Sequence, residues 1–182
     1  LDTTLLRLTA AYAALANGGR YITPRLFSSA TDSEGNVLTR RLLQEETLAS
    51  EDAVFVLTHV LQGVLDRGTA KGSRRLGYTG IAAGKTGTSN ETRDAWFAGF
   101  TPDLAVAVWT GFDDNSQIGL TGGAASLPIW VTFKECIKSF HEELNFIPPP
   151  GVVLADIDLS TNDLATPDSI SENVIQEAFV KG

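Results

Sequence analysis

The chain has 182 residues, 43% of them hydrophobic and 20% charged, enough for one domain with a sizeable core and ordinary for a soluble globular protein. Its apolar runs fall well short of a membrane span, no signal-peptide pattern opens it, and the lone Cys136 excludes an internal disulfide or a multi-cysteine metal site. The net charge of −8 argues against nucleic acid as a partner and is unevenly spread: Glu142, Glu143, Asp156, Asp158, Asp163, Asp168, Glu172 and Glu177 against Lys181 alone give residues 142–182 a balance of −7, leaving −1 for the rest.

Leu5, Leu8, Tyr12 and Leu15 recur at helical spacing, and Asn17-Gly18-Gly19 then supplies a left-handed stop. Residues 21–31 and 37–41 read as extended segments around the turn Asp32-Ser33-Glu34-Gly35-Asn36. Ser50 predicts the cap of a second helix, with Glu51 and Asp52 at its positive end. Its buried stripe is Val54, Leu57, Leu61, Val64 and Leu65, and it ends near Arg67-Gly68. A glycine-rich loop with Lys71, Arg74 and Arg75 follows; these cations and Arg67 suit an anionic peptide or glycan, but the commoner fate of such loop charges is solvation.

Three strands come next, at 80–89, 94–101 and 104–112. The last two are apolar on both alternating sets, with Trp96, Ala98 and Phe100 on one face and Ala95 and Phe97 on the other. Short connections make the strands antiparallel, and two apolar faces require helices on both sides. The expected fold is therefore α/β, an antiparallel sheet sandwiched between helices, with Trp96 and Trp109 in the core. After a polar loop at 113–125, Ser126 is expected to cap a last helix with Ile129, Phe133, Cys136, Ile137 and Phe140 facing inward. Pro148-Pro149-Pro150-Gly151 closes the compact part, dividing the chain into residues 1–147 and a Pro-rich, acidic extension at 148–182. That extension reads as a short strand at 152–159 and a solvated polar tail. His59 and His141 lack metal-ligand spacing, so neither a metal nor another cofactor is expected. With no Met in the chain, Leu1 reads as an internal position of a longer protein.

Lys85-Thr86-Gly87-Thr88 is the stretch that carries chemistry. Gly84-Lys85-Thr86 fails as a phosphate loop, because Gly80 and Gly84 enclose three residues where that motif needs four, and no apolar helix follows. On a strand, each residue has a use. Lys85 is a cation at a cleft edge, placed to attract a substrate carboxylate and to orient a hydroxyl in a proton relay. Thr86 offers a hydroxyl without filling the cleft, and Gly87 leaves room for a substrate backbone alongside. Thr88 has a hydroxyl for a terminal carboxylate and a backbone N–H for a developing oxyanion.

This strand resembles the third motif of the penicillin-recognising serine acyl transferases. The likeness extends through Ala16-Asn17-Gly18-Gly19, Leu61-Gln62-Gly63-Val64, Arg67-Gly68-Thr69-Ala70, Arg93-Asp94-Ala95-Trp96-Phe97, Thr101-Pro102-Asp103, Trp109 to Asp114, Thr121-Gly122-Gly123, Pro128-Ile129-Trp130 and Pro149-Pro150-Gly151-Val152. Nearly the whole chain is thus similar to the C-terminal part of the transpeptidase domain of class A, bifunctional penicillin-binding proteins. The resemblance implies D,D-transpeptidation of peptidoglycan stem peptides through a serine acyl-enzyme, acylation by β-lactams, and a place at the outer face of the plasma membrane, held by an anchor outside this sequence. It carries over Lys85, Thr86, Gly87 and Thr88 and supplies no nucleophile. No S-x-x-K occurs in the chain, and Ser160-Thr161-Asn162 and Ser171-Glu172-Asn173 match the family's S-x-N only by letters. The nucleophile is expected in an upstream half of the same domain. A serine β-lactamase-like hydrolase and a noncatalytic scaffold fragment are the alternatives, and the long extension after the last helix speaks against the first.

Overall fold

The computed structural model describes residues 3–140 and 144–182. His141, Glu142 and Glu143 lie outside the described residues. In chain order the elements are α1 (Leu5–Ala16), β1 (Arg20–Ile22), β2 (Ser29–Thr31), β3 (Val37–Arg40), β4 (Glu45–Thr47), α2 (Glu51–Asp66), α3 (Gly72–Arg75), β5 (Ala83–Thr88), β6 (Asp94–Thr101), β7 (Leu104–Gly111), α4 (Ser126–Ile137), β8 (Val152–Asp158), β9 (Asp163–Leu164) and β10 (Val174–Val180). None of the described helices is long and apolar enough to cross a membrane.

The central sheet has the order β5-β6-β7, antiparallel throughout. Phe97 and Phe100 project from opposite faces of β6. Tyr12 of α1 meets Phe100 edge-on at 6.0 Å, while Trp130 of α4 meets Phe97 at 5.2 Å from the other side. Helices therefore cover both faces, as the alternation requires. The core around Phe97 gathers Leu65 of α2, Ala70, Tyr78, Ala82, Leu127, Trp130 and Val131.

Local chemistry sets the ends of the helices. Thr4 Oγ1 accepts from Arg7 N–H at 3.2 Å to start α1, and Gly18 and Gly19 take φ of +64° and +90° to stop it. A side chain at Gly19 would also strike the Ala49 carbonyl, so the stop is packed as well as twisted. Ser50 Oγ accepts from Ala53 N–H at 3.3 Å, the expected cap of α2.

Several expectations are corrected. Residues 21–31 do not form one strand: Pro24 interrupts them, leaving β1 and β2, and β1 pairs instead with the unforeseen β4. Leu57 is exposed and Thr58 takes the buried place in the stripe of α2. Strand β7 is only half-buried, because it is an edge strand. Trp109 is 36% exposed and its Nε1–H donates to Asp94 Oδ1 at 2.8 Å.

The last helix is turned over. Ser126, Leu127, Trp130 and Val131 are buried, while Ile129, Phe133, Cys136 and Phe140 are exposed. Nor does Ser126 cap α4: it lies inside the first turn, where its Oγ donates to the Ala95 carbonyl at 2.8 Å and meets Thr110 Oγ1 at 3.0 Å. The acidic extension is no solvated tail. Strands β8, β9 and β10 form a sheet of order β10-β8-β9 that packs on α2. Its buried anchor is Asp158, whose Oδ1 accepts from the Ser160 N–H and hydroxyl.

Replacing Ser126 by Ala should destabilise the protein by about 1–3 kcal/mol, because the buried Ala95 carbonyl and the half-buried Thr110 hydroxyl each lose a bond; thermal or urea unfolding checks this. Hydrogen bonds from Ser160 and then Ser169 hold the Asp158 carboxyl below the usual carboxylate range. A lowered folded pKa stabilises above the unfolded value of about 4, and that contribution disappears as pH falls through the lowered pKa. The protection factors of the β8 and β10 amides, exchange rates corrected for the intrinsic pH dependence, should therefore fall on acidification, and Asp158→Asn should flatten this response.

Candidate active site

Strand β5 pairs with β6 in the register Lys85↔Ala98, Thr86↔Phe97, Gly87↔Trp96 and Thr88↔Ala95, and its other edge carries no strand among the described residues. The alternation places Lys85 and Gly87 on the face of Trp96 and Ala98, and Thr86 and Thr88 on the face of Phe97. All four members of the motif thus sit on one open edge, with two hydroxyls on one side and the cation on the other.

Lys85 is exposed and its Nζ donates to the carbonyl of Thr86 at 2.8 Å. No carboxylate pairs with it among the described residues. Thr86 Oγ1 lies 2.7 Å from Thr69 Oγ1, in the turn after α2. Two hydroxyls in one mutual bond use one proton, which leaves the second available to a ligand. Thr88 Oγ1 accepts from Gly122 N–H at 3.1 Å. Acceptance leaves the Thr88 hydroxyl proton free to donate.

Glycines let the surrounding chain approach. At Gly84 a Cβ would lie 2.8 Å from the Ala98 carbonyl oxygen and 2.9 Å from Cζ of Phe97, so the strand entering the motif lies flat on the core. A Cβ at Gly122 would strike the carbonyl oxygens of both Gly87 and Trp96, which shows how closely the 121–123 segment crosses the β5–β6 pair. At Gly87 a Cβ would meet Cβ of Trp96 at 3.1 Å, a contact that requires only a small shift.

The strand leaves through a strained turn. Glu91 and Thr92 have φ of 58° and 52°, unusual for any residue with a side chain and most of all for a β-branched one. Ser89 Oγ accepts from Asp94 N–H at 2.7 Å, Ile118 N–H donates to the Thr92 carbonyl at 3.0 Å, and Arg93 pairs with Glu91. Ser89, Arg93 and Ile118 thus hold a conformation that Thr92 disfavours.

Thr69 and Gly122 touch the motif although neither was singled out from sequence as a site residue. A signal existed for Gly122 in the glycine pair of a polar loop, which marks close backbone approach. For Thr69 there was none beyond its place in a matching motif. Arg74 is no solvated loop charge: it pairs with Asp66 and donates to the carbonyls of Tyr78 at 3.1 Å and Gly80 at 3.0 Å, fixing the approach to β5. His59 reaches β10 through a 2.8 Å bond to the Gln176 carbonyl. No cluster of His, Cys, Asp and Glu among the described residues could hold a metal ion.

Replacing Gly122 by Ala should shift the 121–123 segment off the strand and break its bond to Thr88. Amide exchange at residue 122 should rise and the protein should lose about 1–3 kcal/mol in unfolding experiments, the range of a named packing clash.

The family model for the penicillin binding protein transpeptidase domain matches residues 1–133. Penicillin-binding protein 1A of Rickettsia bellii is 33% identical over 197 residues, covering 94% of this chain and 25% of that protein. The chain therefore spans about a quarter of the length of this curated relative. In fold it is similar to the crystal structure of penicillin-binding protein 1A from Haemophilus influenzae, with a TM-score of 0.86 and 24% identity over 99% of this chain and 32% of that one. Penicillin-binding protein A from M. tuberculosis, solved as an imipenem acyl-enzyme complex, aligns with a TM-score of 0.59 and 25% identity over 73% of this chain and 31% of that one. With the family model covering most of its length, the chain belongs to the penicillin-binding protein transpeptidase domain family.

Proposed function

We propose that this chain forms one wall of the active site of a serine-type D,D-transpeptidase that cross-links peptidoglycan stem peptides and is acylated by β-lactams. The observation that carries this reading is β5: an open edge strand with an exposed Lys85 that has no carboxylate partner among the described residues, a Thr88 hydroxyl with its proton left to give, and a Thr86 hydroxyl that keeps its own when Thr69 donates. An extended substrate can lie along that edge beside Gly87, its backbone meeting the free polar groups of the strand. Its terminal carboxylate would take the hydroxyl protons of Thr86 and Thr88. Lys85 would add the cation that attracts this carboxylate and orients a hydroxyl in the proton relay. A backbone N–H of Thr88 aimed at the developing oxyanion would stabilise the acylation transition state, such donors being worth about 10²- to 10³-fold in rate.

In this reading the serine nucleophile and its lysine come from another part of the same domain. The apolar face of α4 with Ile129, 51% exposed, and Phe133, 42% exposed, supports a further covering layer. Residues 148–182 are read as an extension braced on α2. The likeness to penicillin-binding protein 1A relatives supports a place in the cell envelope, outside the plasma membrane and anchored by a segment beyond this sequence.

Fluorescent penicillin tests the assignment. The full-length protein should label at one serine, and Lys85→Ala should slow labelling by about 10²-fold or more with an unchanged unfolding transition, since the side chain is exposed. The 182-residue chain alone should stay unlabelled. Wild-type labelling of the Lys85 variant, or stoichiometric labelling of a serine in the isolated chain, would overturn the reading.

A further inference from the structure

The last strand of the C-terminal sheet is tied to the candidate site through the end of α2. Phe55, His59, Gly63 and Arg67 recur at four-residue intervals and so share one stripe of that helix and its cap. His59 Nε2 must donate in its 2.8 Å contact with the Gln176 carbonyl, which can only accept. The same nitrogen lies 3.6 Å from Glu177 Oε2. Glu177 Oε1 accepts from Arg67 Nη2. Gly63 makes this geometry available: a Cβ there would lie 3.2 Å from both Cζ and Nη2 of Arg67, so the guanidinium rests flat on the bare helix backbone. The Glu177 side chain is 22% exposed, partly shielded from solvent, which favours a defined pair over a loose surface one.

From Arg67 the chain turns tightly. Arg67 N–H and Gly68 N–H both donate to the Gly63 carbonyl, at 2.9 and 3.0 Å, and Ala70 N–H donates to the Val64 carbonyl at 3.0 Å. A Cβ on Gly68 would lie 2.7 Å from Cα of Val64, so the turn is wound hard against the helix. Ala70 is fully buried, and between it and Gly68 the Thr69 hydroxyl is presented to Thr86 at 2.7 Å. One side of this four-residue turn is thus held by β10 and the other holds β5.

We propose that Glu177 is a positioning residue for the substrate-binding strand: by fixing Arg67 it sets the turn whose Thr69 hydroxyl orients the hydroxyl of Thr86. Thr69 uses one proton of the pair and so decides whether Thr86 presents a donor or an acceptor to a substrate carboxylate. The C-terminal sheet is then part of the specificity apparatus. This inference rests on the reading that β5 binds substrate.

The test is acylation of the full-length protein by a chromogenic penicillin, followed as a function of penicillin concentration. Glu177→Gln should raise the concentration for half-maximal rate by about threefold to tenfold, the worth of one hydrogen bond, and leave the limiting rate within about twofold. Thr69→Val should do the same and Thr69→Ser should stay near wild type. Because Glu177 acts through Thr69, the double variant Glu177→Gln/Thr69→Val should be no worse than Thr69→Val alone. Gly63→Ala, which displaces the guanidinium while keeping both charges, should reproduce the Glu177→Gln effect if that variant is too unstable to assay. Multiplying effects in the double variant, or wild-type concentration dependence in Glu177→Gln, would overturn the proposal. Lys85→Ala in the same series separates the two ideas. If it acylates normally, the strand assignment and this inference both fall; if it alone is impaired, only the positioning role does.

Discussion

Phe97 is the residue on which the geometry of the candidate site depends. It is fully buried opposite Thr86, with Trp130 edge-on against it, and its ring leaves no room for a side chain at Gly84 or Gly99. Burying so large a ring against α4 stabilises the sheet by an amount that truncation to Ala typically reveals as about 3–5 kcal/mol. Since β5 has a strand on one edge only among the described residues, its height above the core is set by this packing. The hydroxyls of Thr86 and Thr88 stand on the same face as Phe97, so the same packing determines how far they project.

Around that pivot, two remote segments meet the motif from outside the sheet. The turn after α2 brings Thr69, and the loop before α4 brings Gly122. Neither segment contributes a charge. Each supplies one hydrogen bond and steric closeness, which fixes rotamers without competing for an incoming anion. Arg74 does comparable work one step earlier, holding the carbonyls of Tyr78 and Gly80 so that the chain enters β5 in a defined direction. Basic residues near a cleft are readily taken for ligand contacts, yet here one of them is absorbed by the backbone.

Much of this was legible in the sequence, and the failures have physical causes. Strands β6 and β7 were plain because apolar residues occupy both alternating sets, and β5 was legible as the strand that leads into their hairpin. Helix α4 was misread because it is apolar around most of its circumference: Leu127, Trp130 and Val131 compete with Ile129, Phe133 and Cys136, and periodicity alone cannot say which set meets the sheet. The indole of Trp130, which fits between Tyr78 and Phe97, decides it. Strand β10 was missed because Gln176 and Glu177 interrupt its apolar residues, and Glu177 in turn has its use in a contact with α2, 110 positions away. Thr69 was invisible as a site residue for the same reason, and the glycine pair at Gly122 marked a close approach without saying that Thr88 was what it approached.

The resting position of Lys85 has a consequence for how an anion would arrive. Its ammonium is engaged by a neutral carbonyl of its own strand, with no acidic partner among the described residues. In the proposed reading an incoming carboxylate would displace one bond from the ammonium to a neutral carbonyl, a charge-assisted bond, without parting two opposite charges. Competition at this position is between unlike acceptors, one charged and mobile, the other neutral and tethered. The charged acceptor would be favoured because it adds Coulomb attraction to the ammonium that a neutral carbonyl lacks. In the proposed reading the strand thus supplies a placeholder that keeps the cation ordered near the edge and would yield to an arriving anion.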